Sequence, residues 1–200
     1  RAMAPRQYRM GKRDRAVEET RRRIVDATLA LHTERGILGT SWQAIAEKAD
    51  VAVGTVYKHF PTLDELVPAC GALLLERTAP PAAEDAARIV GATTDPAQRV
   101  ERVAAALFAF YERAGPSIEL DRRERELPAV QDWERELTDT IDALLRHAVA
   151  PVRAGRRNVR MIGALLDHRS FDAMKRRGFG ARAAARHVGA IAAMWLDRKP

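Results

Sequence analysis

Cysteine occurs once in the 200-residue chain, at Cys70, and a single thiol makes neither an internal disulfide nor a thiolate-rich metal site. Aromatic residues are sparse at 6%. No run of about 18 apolar residues is present, so no membrane-spanning helix is expected. The basic N-terminus has no apolar stretch behind it, so it does not read as a secretory signal. Sustained strand-like alternation, internal repeats and low-complexity blocks are missing too. The phosphate-cradling and hydrolytic signatures, a Walker loop, GxGxxG, GxSxG and HExxH, do not occur. The histidines His32, His59, His147, His168 and His187 never fall at the i, i+4 spacing that puts two ligands on one helix face. With no acid–base or nucleophile constellation, the expectation is a cytoplasmic protein that is not an enzyme, binds no metal, uses no cofactor and does not engage a membrane.

What is present is helix-forming. Ala, Leu, Arg and Glu dominate, charged residues make up 30% of the chain, and Ala inflates the 46% apolar fraction. A chain of this length buries a sizeable core. Net charge is +7, with a pI near 10.1. Residues 1–23 hold nine Lys and Arg (Arg1, Arg6, Arg9, Lys12, Arg13, Arg15, Arg21, Arg22 and Arg23) against Asp14, Glu18 and Glu19, a local +6. Such a stretch is either a contact for nucleic acid or another polyanion, or a solvated tail.

Proline punctuates the rest into helix-length pieces, at Pro61, Pro80-Pro81, Pro96, Pro116, Pro128 and Pro151. A first amphipathic pattern runs from about Glu18 to Glu34, with Ile24, Ala27, Thr28 and Leu31 on one face, and Gly36 stops it. Further on, Val130, Trp133, Leu137, Ile141, Leu144 and Ala148 repeat at three and four. The pattern predicts an all-α chain of about nine helices. It divides into a basic arm (1–17), a three-helix head (18–66) and a longer helical region (67–200).

Residues 36–67, GILGTSWQAIAEKADVAVGTVYKHFPTLDELV, carry the functional signal. Two short helices, Trp42 to Lys48 and Val53 to His59, flank a four-residue turn, the dimensions of a helix-turn-helix. Thr40 or Ser41 is placed to cap the first. Ile45, Val51 and Val56 are the apolar residues that hold the pair together. Gly54 opens the second helix without a side chain, and Thr55, Tyr57, Lys58 and His59 crowd it with donors. A two-turn helix with polar tips suits a major groove.

Across residues 20–67 the chain resembles TetR-type transcriptional regulators. The ordered matches are Ile24, Ala27, Gly36, Thr40, Ile45-Ala46, Ala49, Val51, Gly54-Thr55-Val56-Tyr57, His59-Phe60 and Glu65-Leu66. The resemblance implies a homodimeric repressor on a near-palindromic double-stranded operator, with an unidentified small-molecule effector releasing it. The alternative is a helix-turn-helix regulator without an effector, controlled by a protein partner. By the same resemblance Thr40 and Ser41 contact DNA backbone, Gly54 and Thr55 form the reading tip, and Tyr57, Lys58 and His59 meet phosphate or bases. Asp50 replaces the usual turn glycine but tolerates positive φ. Ala52 replaces a common capping serine, and Leu63 a common lysine.

For the C-terminal region the resemblance raises an effector pocket lined by Phe108, Tyr111, Trp133, His147 and Phe171, against a default reading of these aromatics as helical core. Ile162, Leu165, Leu166, Val188, Ile191 and Trp195 exceed what a terminal helix pair needs to pack on its own domain. Paired across a two-fold axis they would make a four-helix interface, as the resemblance implies.

Overall fold

The structure, a computed structural model, describes residues 6–152 and 154–196, except for the side chains of residues 6–10 and 12. Residues 1–5 and the side chains of Arg6, Arg9 and Lys12, part of the expected arm, therefore lie outside the described residues. The protein is all-helical. The described residues hold ten α-helices, close to the nine expected, and three 3₁₀ turns joined by short loops. They form two compact units, the described residues up to 77 with 116–130, and 78–115 with the described residues from 131 on.

In the first unit α1 (Arg6–Arg35), α2 (Trp42–Ala49), α3 (Val53–His59) and α4 (Leu63–Thr78) follow in order. Helix α1 starts twelve residues before the Glu18 expected from periodicity. Its described side chains from Arg13 to Glu19 are all exposed, so no apolar stripe marks this part of the helix. Arg, Glu and Ala propensity with no proline continues it all the same. Gly36, at φ 77°, closes α1 by donating its N–H to the His32 carbonyl at 2.8 Å. The core gathers Ile24, Val25, Ala27, Leu29 and Leu31 of α1, Ile45, Ala46 and Ala49 of α2, Val56 and Phe60 at α3, and Leu66, Cys70 and Leu73 of α4. The Arg21 guanidinium lies over the Phe60 ring, 4.8 Å from its centroid. Cys70 is buried, and burial pushes its thiol up to about 12, which keeps it protonated and unreactive.

In the second unit, α5 (Ala86–Val90) leads to α6 (Pro96–Ala114), which packs most extensively against α10 (Ala181–Leu196). That crossing is close enough that a Cβ at Gly189 would sit 2.8 Å from the Ala97 carbonyl oxygen. Asp95 caps α6, accepting from the Ala97 N–H at 3.0 Å, with Pro96 in the first turn. Buried Arg99 donates to the carbonyls of Ala148 and His147, each at 2.7 Å, and so terminates α7 (Pro128–Ala148). Val159, Ile162, Leu165, Leu166 and Met174 keep the apolar spacing of a single helix in the sequence, but the chain breaks that stretch. Asp167 adopts an extended conformation and its carboxylate accepts from the Arg169 N–H at 2.8 Å, giving α8 (Arg156–Leu166) and α9 (His168–Arg176). No helix among the described residues is long and apolar enough to cross a membrane.

Candidate nucleic-acid interface

The first unit builds a helix-turn-helix from local hydrogen bonds. Ser41 is the residue that caps α2, its Oγ accepting from the Ala44 N–H at 3.1 Å. Thr40 instead donates its hydroxyl to the Gly36 carbonyl at 2.8 Å and ties the loop to the end of α1. After α2, Asp50 takes the left-handed conformation (φ 53°, ψ 55°), the position the missing glycine would fill. Its N–H donates to Glu47 and the Val51 N–H to Ala46, which turns the chain sharply into α3. At the start of α3, Ala52 has capping backbone geometry but no side-chain hydrogen bond, so only its carbonyl serves the helix, accepting from Thr55 at 2.8 Å.

Helix α3 has one buried residue, Val56, and is anchored at its end by buried Phe60. Everything else turns outward to some degree. Gly54, Tyr57 and Lys58 are exposed, and Thr55 and His59 are half-buried. Tyr57 stands 46% exposed, one of the few large apolar side chains the unit leaves to solvent. A Cβ at Gly54 would touch nothing within 4 Å, so the molecule itself does not require glycine there. The structure thus brings Gly54, Thr55, Tyr57, Lys58 and His59 onto one seven-residue helix, with Ser41 at the start of the preceding one.

Two residues of this unit escape the sequence. Trp42, the first residue of α2, stacks on Tyr57 with ring centroids 4.9 Å apart and planes 29° from parallel. Glu124 lies in a charged run that reads as a solvated face, yet it is 3% exposed. Its carboxylate accepts from the Leu38 N–H at 3.2 Å and the Asp121 N–H at 3.0 Å. A Cβ at Gly36 would collide with the same carboxylate. A second tie joins the hydroxyls of Thr33 and Ser117 at 2.8 Å. Buried beside them is the His32 Nε2, which has no hydrogen-bond partner. Desolvation lowers the His32 pKa from 6.5 to about 4, with Glu124 acting in the opposite sense.

The second unit sorts its candidates. Phe108 and Phe171 stack at 4.5 Å, Tyr111 lies 6.2 Å from Phe108, and the Tyr111 hydroxyl donates to the Leu166 carbonyl at 3.0 Å. Burial raises the tyrosine's pKa, Asp167 adding to the effect. Trp133 is half-buried on α7. His147 does not join the cluster as expected for a pocket residue. It sits in the last turn of α7, where its ring is exposed and its carbonyl is held by Arg99.

The six residues expected at an interface differ in their placement. Ile162, Leu166 and Val188 are buried within the single chain. Leu165 and Trp195 are half-buried and Ile191 is 39% exposed. Met161 and Met194, which do not stand out in the sequence, are more exposed still, Met194 at 66%. Arg157, Asn158, Met161 and Trp195 line a groove of about 370 Å³ on this α8–α10 surface.

This geometry defines a helix-turn-helix protein, and comparison with known proteins shows what its head is similar to. Residues 24–70 match the model for bacterial regulatory proteins of the tetR family. The HTH-type transcriptional repressor KstR of Rhodococcus jostii (strain RHA1) is 47% identical over 62 residues, 31% of this chain and 29% of that protein. KstR of Mycobacterium tuberculosis is 40% identical over 85 residues, 42% of this chain and 37% of that protein. The chain therefore aligns with about a third of the length of these relatives. Among solved structures, a TetR-like transcriptional regulator from Rhodococcus sp. RHA1 superposes with a TM-score of 0.63 at 21% identity, covering 90% of this chain and 97% of that one. The multidrug binding protein EbrR complexed with imidazole gives 0.62 at 22% identity, covering 90% and 96%. The helix-turn-helix head, residues 24–70, is thus similar to the tetR family of bacterial regulatory proteins.

Proposed function

We propose that this protein represses transcription by binding a near-palindromic duplex operator as a two-fold homodimer, and that a small-molecule effector releases it. One observation carries the reading. On α3 only Val56 is buried, while Gly54, Tyr57 and Lys58 face solvent at the end of a sharp left-handed turn. A core-packing helix has no use for that arrangement, whereas a helix entering a major groove does. In this reading Tyr57 and His59 hold phosphates, Thr55 and Lys58 read bases, and Ser41 with Thr40 meets the backbone at α2. The head of residues 18–66 works with the basic turns of α1 before it and with the 116–130 segment beside it. The rest of residues 67–200 serves dimerisation and effector binding.

The exposed Ile191, Met194 and Met161, with Leu165 and Trp195, are an apolar surface on the last helices that suits a second copy of the chain. For release, the relatives named as KstR are repressors, and EbrR has been crystallised with imidazole and with malachite green. The Phe108–Tyr111–Phe171 cluster suits a partly aromatic effector of the same general kind.

Titrating a ligand found by thermal-shift screening, with and without bound operator, tests release. A coupling of about 1–3 kcal/mol weakens operator binding roughly 5- to 150-fold, and reciprocity requires the operator to weaken the ligand equally. Equal ligand affinity in both titrations removes effector release and leaves control by a protein partner.

A further inference from the structure

We propose that Trp42 is a positioning residue for operator binding, acting through the ring of Tyr57. The inference rests on the reading of Tyr57 as a phosphate contact and deepens it. An exposed tyrosine ring ordinarily samples several rotamers, and one that must hold a phosphate loses that freedom on binding. Tyr57 differs from a free surface tyrosine. One face of its ring is covered by the Trp42 indole, 4.9 Å away and 29° from parallel, an offset-stacked geometry that favours aromatic pairs. The ring is thus held before DNA arrives, while nearly half of the residue stays open to solvent.

The platform is itself well fixed. Trp42 is half-buried and packs against the core of the head. It follows Ser41, whose hydroxyl caps α2, so its backbone is set by the cap. The stack also joins the start of α2 to the recognition helix, two places where the head is expected to meet the DNA backbone.

A double-mutant cycle separates this role from a merely structural one. Wild type, Trp42→Leu, Tyr57→Phe and the double variant are titrated at one salt concentration with a duplex that the wild-type protein has selected from a random pool. Thermal midpoints are recorded in parallel. Tyr57→Phe keeps the ring and the stack but removes the hydroxyl. Trp42→Leu is expected to weaken binding about three- to tenfold when the hydroxyl is present and to have little effect when it is absent, in line with the strength of aromatic pairs. Its effect on the thermal midpoint is expected to be the same in both backgrounds, and Trp42→Phe to restore affinity. An equal loss of affinity in both backgrounds, or no loss in either, overturns the positioning role and leaves the Tyr57 contact standing. A Tyr57→Phe protein that binds like wild type overturns that contact and the inference with it.

Discussion

The carboxylate of Glu124 accepts a hydrogen bond from the backbone N–H of Leu38 at 3.2 Å, across 86 positions of sequence. The same carboxylate takes the Asp121 N–H, so a segment far along the chain closes over the turn between α1 and α2. Both donors lose their acceptor in Glu124→Ala, and leaving them unsatisfied costs about 1–3 kcal/mol. Glu124→Gln keeps an acceptor oxygen of similar shape and is expected to cost less. Denaturant unfolding of the three proteins checks the order. An alanine variant as stable as wild type contradicts the clamp.

His32 makes the same region sensitive to acid. Its folded pKa of about 4 lies below the unfolded value of 6.5, so the unfolded chain binds a proton more readily between these values. Stability from keeping the imidazole neutral is complete above pH 6.5 and is lost as pH falls toward 4, by up to about 3 kcal/mol. Unfolding free energies of wild type and His32→Leu from about pH 7.5 to about pH 4.5, a range spanning most of that window, check the sign. The wild type is expected to lose more stability than the variant over that range. Parallel curves contradict the assignment.

Gly54 separates folding from binding. With no atom within 4 Å of where a Cβ would stand, Gly54→Ala fits the free protein, and alanine's helix propensity favours it by up to about 1 kcal/mol. Bound DNA is expected to approach this backbone closely, so the added methyl group weakens operator binding. A thermal midpoint at or above wild type together with reduced operator affinity is the expected pair of results. Unchanged affinity means that the tip of α3 does not approach the DNA closely.

Much of the head is legible because its rules are local. Asp50 adopts the positive φ that a residue replacing a turn glycine has to tolerate, and Ala52 lacks the cap hydrogen bond that its missing hydroxyl implies. Val56 and Phe60 are buried and the residues between them turn outward, as two-turn periodicity requires. What escapes is decided by partners distant in sequence or by a break that periodicity does not mark. Nothing in the run from Asp121 to Glu126 distinguishes Glu124, because its burial depends on the end of α1. The α8–α9 break hides inside an unbroken apolar period and is set by the single carboxylate of Asp167. Ile162, Leu166 and Val188 look like surplus apolar surface in the sequence, yet within the single chain they are buried.

The remaining apolar surface gives the test of assembly. Ile191→Glu combined with Met194→Glu places two charges on exposed positions of α10, where the folded unit can solvate them. The doubly substituted protein is expected to remain folded, to sediment as a monomer at micromolar concentration and to lose tight operator binding. A wild type that sediments as a monomer, or a variant that stays dimeric, contradicts the proposed interface.

Selection of bound DNA from a random pool, followed by footprinting, tests the central claim most directly. The expected result is a near-palindromic site whose half-sites lie about one helical turn or a multiple of it apart, roughly 34–36 Å per turn. Binding should be steeply salt-dependent, as phosphate neutralisation requires. Tyr57→Phe with His59→Ala should weaken binding to every sequence, by about 1 kcal/mol for each change. Recovery of no preferred site, or of a site that the Tyr57/His59 double variant binds as tightly as wild type, contradicts operator reading by α3.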